Sequence, residues 1–179
     1  MIAFETIRVR GRVQGVGFRP TVWRLARDRG RRGDVRNDAS GVLIRLLGPP
    51  TDIECFCALL RAQCPPLARI DAIERVPGPA PDDVHDFRIV ASEAGEVHTG
   101  VVADAATCEA CRAEIFDRGD RRYRYPFTNC TQCGPRFSII RSLPYDRPRT
   151  TMRGFTMCDA CSREYGDPAN RRFHAQPNA

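Results

Sequence analysis

The sequence predicts an α+β protein made of two unlike units, and three observations predict it. Residues 7–13 alternate Ile7, Val9, Gly11 and Val13 against Arg8, Arg10 and Arg12, the period of a half-buried strand. Two apolar stripes at helical spacing follow, each set between strand-like segments, up to about Val90. From Ser92 onward the chain is rich in Cys, Arg, Pro and aromatics and has few aliphatic runs, so the second unit cannot build a large aliphatic core. A chain of 179 residues suits one or two domains. The shift in composition favours two, at residues 1–91 and 108–179, with a linker over 92–107.

The elements of the first unit follow in order. After the strand at 7–13 comes a Gly-rich turn, then a helix in which Pro20 occupies the first turn and Val22, Leu25 and Ala26 form the apolar stripe. Gly30 and Gly33 end it. Asp34 to Asn37 and Val42 to Leu47 read as strands joined by the tight turn Asp38-Ala39-Ser40-Gly41. Thr51 and Glu54 form a capping box ahead of Ile53, Phe56, Leu59 and Leu60, and Pro65-Pro66 stops this second helix. Ile70 to Val76 and Asp86 to Val90 complete the strands, separated by a loop containing Pro77, Pro79 and Pro81. The order βαββαβ predicts a ferredoxin-like, four-stranded antiparallel sheet with both helices on one face.

The formal net charge of +6 comes from arginine, with an early cluster at Arg24, Arg27, Arg29, Arg31, Arg32 and Arg36, and favours anionic partners. A solvated basic helix face reads the same way. The sequence contains no signal-peptide-like leader and no apolar stretch near the ~18 residues of a membrane span. This predicts a soluble, cytoplasmic protein without a membrane partner. In that reducing compartment CxxC pairs read as metal ligands rather than disulfides.

The turn Gln14-Gly15-Val16-Gly17-Phe18-Arg19 lies between a strand and a helix N-terminus. Glycines there let successive backbone N–H groups converge on an anion, and the helix dipole adds to the attraction. Arg19 sharpens the reading, because a guanidinium grips two phosphoryl oxygens in a planar fork. These residues, preceded by Val9-x-Gly11-x-Val13 and followed by Gly33-x-Val35-x-Asn37 and Gly41-Val42, resemble the acylphosphatase family over residues 5–91. The resemblance implies that Arg19 holds the phosphoryl group, that Asn37 orients the attacking water, and that the backbone of residues 14–19 completes the phosphate site. The chemistry agrees. An acyl phosphate expels a carboxylate, whose conjugate acid has a pKa of about 4, so the site needs no general acid.

The nine cysteines divide sharply. Cys108-x2-Cys111-x18-Cys130-x2-Cys133 has the spacing of a closed tetrahedral zinc site, two chelating knuckles with no position left for water. Such a site can supply ~10–16 kcal/mol of apparent folding free energy. Cys158-x2-Cys161 opens the same pattern fifty residues later, with Ala110, Glu114, Asp117, Arg121, Arg122 and Tyr123 answered by Ala160, Glu164, Asp167, Arg171, Arg172 and Phe173. The shift would place the next cysteine at position 180, which predicts a chain that continues past Ala179. His174 is a candidate stand-in ligand, although Arg124 occupies its equivalent position. The spacing also leaves open whether the first CxxC shares a metal with the second or with the third. Cys55, Cys57 and Cys64 read as packing residues on the second helix. The run Arg121 to Tyr125 offers basic and stacking groups to nucleic acid, or else frames the knuckles.

Taken with Arg122-Tyr123-Arg124-Tyr125-Pro126-Phe127, Asn129 to Phe137, Pro144 to Pro148 and Arg171 to Pro177, the two units together are similar to the HypF-type carbamoyltransferases of [NiFe]-hydrogenase maturation. That resemblance implies hydrolysis of carbamoyl phosphate to carbamate here. It also implies an ATP-dependent carbamoyl adenylate step in further domains, and transfer to the cysteine of a partner protein on the way to cyanide ligands. A stand-alone acylphosphatase with an appended zinc module and a zinc-ribbon nucleic-acid binder are the alternatives.

Overall fold

The computed structural model describes residues 3–79, 84–92, 104–142 and 145–178. Most of the predicted linker, together with Pro81, Pro144 and Ala179, lies outside the described residues. In the first unit β1 (Ala3–Arg12), α1 (Phe18–Arg27), β2 (Arg32–Asp38), β3 (Gly41–Gly48), α2 (Pro50–Ala62) and β4 (Arg69–Gly78) keep the predicted order. Ile7, Val9, Val35, Val42, Ile44 and Leu46 from the strands pack against Phe18, Val22 and Leu25 of α1 and Ile53, Phe56 and Leu60 of α2. Each such side chain contributes ~1.5–3 kcal/mol by leaving water, and together they fix the register. Ile7 pairs with Ile44 across β1 and β3, and Val35 pairs with the same Ile44 across β2 and β3. A slip of one residue would drive Arg8 into that core.

The structure corrects the sequence reading in three places. The sheet has five strands, ordered β4-β1-β3-β2-β5, because β5 (Phe87–Ile89) adds in parallel to the edge of β2 and buries Phe87 against the core. Helix α2 begins at Pro50 and the Thr51–Glu54 capping box does not form; a proline in the first turn lacks only an N–H that would have had no helical partner. Gly33 lies within β2 rather than at the end of α1, which stops at Arg27. Among the described residues no helix is long and apolar enough to cross a membrane.

The second unit is built from two copies of one plan. Helices α3 (Glu109–Phe116) and α4 (Asp159–Gly166) each start directly after a cysteine in extended backbone, Cys108 at φ −66° and ψ 159° and Cys158 at φ −67° and ψ 163°. After each helix an aspartate, Asp117 or Asp167, accepts the N–H of the residue two further on, and Asp120 or Asn170 accepts from the arginine two further on. Each turn series ends on a left-handed residue, Arg124 at φ 61° and His174 at φ 53°. Their N–H groups donate back to Ile115 and Tyr165.

The copies then exchange charges. Arg171 and Arg172 of the second reach Glu114 of the first, while Arg121 and Arg122 of the first reach Glu164 of the second. Short 3-10 turns at Thr131–Cys133, Phe137–Ile139, Arg147–Arg149 and Thr151–Gly154 fill the interval, around a small cluster of Ile139, Tyr145 and Met152.

Candidate functional site

The cradle forms where β1 gives way to α1. Gly15 and Gly17 take φ of 71° and 77°, conformations that a side chain opposes, and Gly17 is the residue that caps α1. Val16 and Phe18 point their side chains into the core, so these two can serve an anion only through backbone N–H groups. The Nε2 of Gln14 donates to the carbonyls of Asp38 and Gly41 at 2.7 and 2.8 Å, tying the turn to the β2–β3 hairpin that carries Asn37, while its buried Oε1 has no hydrogen-bond partner among the described residues. Asn37 is 1% exposed, and its Oδ1 has no hydrogen-bond partner among the described residues.

Arg19 stands in the first turn of α1 with its guanidinium buried. Burial pulls its pKa below the ordinary arginine range, while Asp146 and Tyr165 pull it back. Arg19 and Asn37 border one cavity of about 30 Å3, room for one or two water-sized groups. The second unit closes that cavity. A Cβ on Gly15 would lie 3.1 Å from Tyr145, and one on Gly17 would lie 3.3 Å from Thr131. Thr131, Tyr145 and His174 all line the space.

His174 is therefore not placed as a metal ligand. Its Nδ1 lies 3.4 Å from Nη2 of Arg19, and its ring is stacked with those of Phe173 and Tyr165 at 4.1 and 5.0 Å. Burial first, and the charge of Arg19 second, push its pKa down to about 4, so it is neutral at pH 7. Asp146 and Ser92 also reach Arg19, at 3.9 and 3.4 Å. None of these three contacts was legible in the sequence. One available signal was an exchange within the repeat, an arginine at 124 becoming a histidine at 174.

The ligand atoms of Cys108, Cys111, Cys130 and Cys133 lie within 4.8 Å of one another. The first CxxC thus joins the second. The Sγ atoms of Cys108 and Cys130, and of Cys130 and Cys133, are each 3.8 Å apart. Sulfurs bound at about 2.3 Å to a tetrahedral zinc stand about 3.8 Å from each other, so the four residues fit that ion. Hydrogen bonds within the cluster push the Cys111 thiol up and the Cys133 thiol down. A divalent cation would let all four ionise. Arg171 adds an N–H to Cys111 at 3.3 Å, and Arg121 does the same to Cys161 at 3.1 Å. Cys161 is buried and Cys158 exposed, and among the described residues this pair belongs to no group of three or more ligands. Cys57 is half-buried beside the sheet core and Cys55 is exposed, apart from both sites.

A Gly-rich turn between strand and helix, a buried arginine and a β-α-β-β-α-β order define an acylphosphatase domain, here packed against a tetrathiolate module. The Acylphosphatase family model matches residues 5–89, and the HypF finger model matches residues 107–140 and 157–179. Acylphosphatase 1 of Ralstonia nicotianae is 46% identical over 77 residues, 42% of this chain and 74% of that protein.

The carbamoyltransferase HypF of Rhodobacter capsulatus is 62% identical over 173 residues, 97% of this chain and 23% of that protein. A crystal structure of full-length HypF in its phosphate- and nucleotide-bound form aligns over 100% of this chain and 24% of its own, with a TM-score of 0.91 and 47% identity. The first unit belongs to the acylphosphatase family, and the chain as a whole is similar to the HypF carbamoyltransferases. The chain spans about a quarter of the length of these HypF relatives.

Proposed function

We propose that the first unit hydrolyses an acyl phosphate, carbamoyl phosphate in its natural setting, to phosphate and carbamate. The observation that carries this reading is the buried guanidinium of Arg19 at the mouth of the cradle, lining one pocket with Asn37. Arg19 and the N–H groups of residues 15–19 hold the phosphoryl oxygens and stabilise the charge that builds on them. Asn37 has a buried acceptor with no partner among the described residues and uses it to orient the attacking water.

Zinc held by Cys108, Cys111, Cys130 and Cys133 maintains the second unit and takes no part in the chemistry. In the longer proteins of this family, ATP-dependent activation and transfer to a maturation partner's cysteine would follow in the cytoplasm, towards the cyanide ligands of the [NiFe] site. Contact with nucleic acid is disfavoured, because Arg121, Arg122, Arg171 and Arg172 are committed to Glu164 and Glu114.

The test is phosphate release from carbamoyl phosphate by wild type, Arg19→Ala and Asn37→Ala. A fall of roughly a hundredfold or more is expected for each variant, the scale of losing one transition-state donor. Equal rates in all three would overturn the assignment.

A further inference from the structure

We propose that His174, carried by the second cysteine repeat, is a positioning residue of the phosphate site, holding the Arg19 guanidinium in place through the lone pair on Nδ1. The inference rests on the acyl-phosphatase reading and extends it: the site is complete only when the second unit is folded against the first.

The geometry is specific. A guanidinium has donors only, so a neutral imidazole that meets it at 3.4 Å must present an unprotonated nitrogen. Nδ1 is that nitrogen, which leaves the ring proton on Nε2. Ser92 Oγ takes the opposite arm of the guanidinium, Nη1, at 3.4 Å. Of the five guanidinium N–H groups, three remain for phosphoryl oxygens. Both bonds are long, and they act as restraints on a side chain that would otherwise sample many rotamers.

His174 is itself firmly placed. Its ring is stacked on Tyr165, whose hydroxyl donates to Gln176 Oε1 at 2.8 Å. Arg147 anchors the segment beyond it by donating to the carbonyls of Gln176 and Asn178, each at 2.5 Å. The equivalent residue of the first copy, Arg124, is exposed and touches no part of the cradle that the structure records. Asp146, 3.9 Å from Nη2, balances the buried charge without occupying the phosphate-facing donors.

The substitutions that test this respect the left-handed backbone at 174, which Gly, Asn and Asp tolerate. His174→Gly removes the restraint, His174→Asn returns a neutral acceptor at the same δ position, and His174→Asp adds an anion beside Arg19. Each would be made in the whole 179-residue chain, with zinc content as the check on folding. Hydrolysis of carbamoyl phosphate and competitive inhibition by inorganic phosphate would both be measured.

The expected results are a tenfold to hundredfold loss of kcat/KM and weaker phosphate inhibition for Gly. Asn should recover to within about threefold of wild type. Asp should raise KM about tenfold or more relative to Asn, through repulsion of the phosphate. If Gly loses its zinc, the Asn and Asp pair decides alone. Gly equal to wild type, Asn no better than Gly, or Asp equal to Asn would each overturn the role of His174 while leaving the Arg19 assignment intact. Wild type that neither hydrolyses acyl phosphates nor is affected at Arg19 would instead overturn the acyl-phosphatase reading itself.

Discussion

The two copies of the cysteine repeat share a helix, a turn series and a left-handed residue, yet they are put to different uses. The first copy gathers four thiols into one cluster, and its aromatic residues Tyr123 and Phe127 stay largely in water. In the second copy the corresponding stretch, from Arg172 to Asn178, is mostly buried and brings His174 to Arg19. Among the described residues, one backbone plan thus carries a thiol cluster in the first copy and a contact to Arg19 in the second. The scaffold is fixed by the elements the copies have in common, and function enters at the positions where they diverge.

Removing the metal should have the largest effect. Cys111→Ser is expected to abolish zinc binding and, with it, ~10–16 kcal/mol of apparent folding free energy for the second unit. Acyl-phosphate hydrolysis should fall while the sheet domain keeps its own thermal transition. Metal analysis alongside calorimetry checks this, and an unchanged rate would show that the second copy closes the site without help from the first.

Next come the exchanged ion pairs. Glu114→Ala strands the buried Arg172, and Glu164→Ala strands the buried Arg122, each at a cost of about 3–4 kcal/mol. Urea titration of both variants should give similar losses if the exchange is symmetric. A large effect in only one would break the equivalence.

A pH effect of similar size distinguishes position 174 from position 124. With a pKa of about 4 in the fold against about 6.5 in the unfolded chain, His174 binds a proton more readily when unfolded. Stability should therefore be fully present above pH ~6.5 and fall as pH drops to about 4, by on the order of 3 kcal/mol. The same titration of His174→Asn should lack that component. The smallest effect is expected at Arg124, where Gly relieves the left-handed strain on an exposed residue. Arg124→Gly should stabilise the chain by no more than ~1 kcal/mol and leave hydrolysis untouched, in contrast to His174→Gly.

Much of this was legible beforehand for a physical reason. The alternation of Ile7 and Val9 with arginines, the two-residue turn at Ala39-Ser40 and the stripe of Val22 and Leu25 report burial within one unit, and burial leaves a period in sequence. Thiol spacing reports chelation in the same local way. The short strand β5 escaped as a parallel edge because three residues carry no period. The start of α2 was misplaced because Thr51 and Glu54 compete with a proline that needs no partner for its missing N–H. The docking of the second unit escaped altogether. Contacts such as Tyr145 on Gly15 and His174 on Arg19 join residues more than a hundred positions apart, and no local pattern encodes them.

The exchange of arginines between the copies also sets an order of events during synthesis. At about 5–20 residues per second, the fifty residues separating Glu114 from Glu164 take roughly 2.5–10 s to emerge from the ribosome. Through that interval the sheet domain is already made and Cys130 and Cys133 emerge to complete the first thiol cluster, but Glu114 waits for Arg171 and Arg172, and the cavity at Arg19 lacks a wall. Hydrolysis is therefore expected to switch on only when the segment around His174 closes over Arg19, so that a chain shorter than this spends no acyl phosphate. Stalled nascent chains released at successive lengths would register that onset as a step rather than a slope.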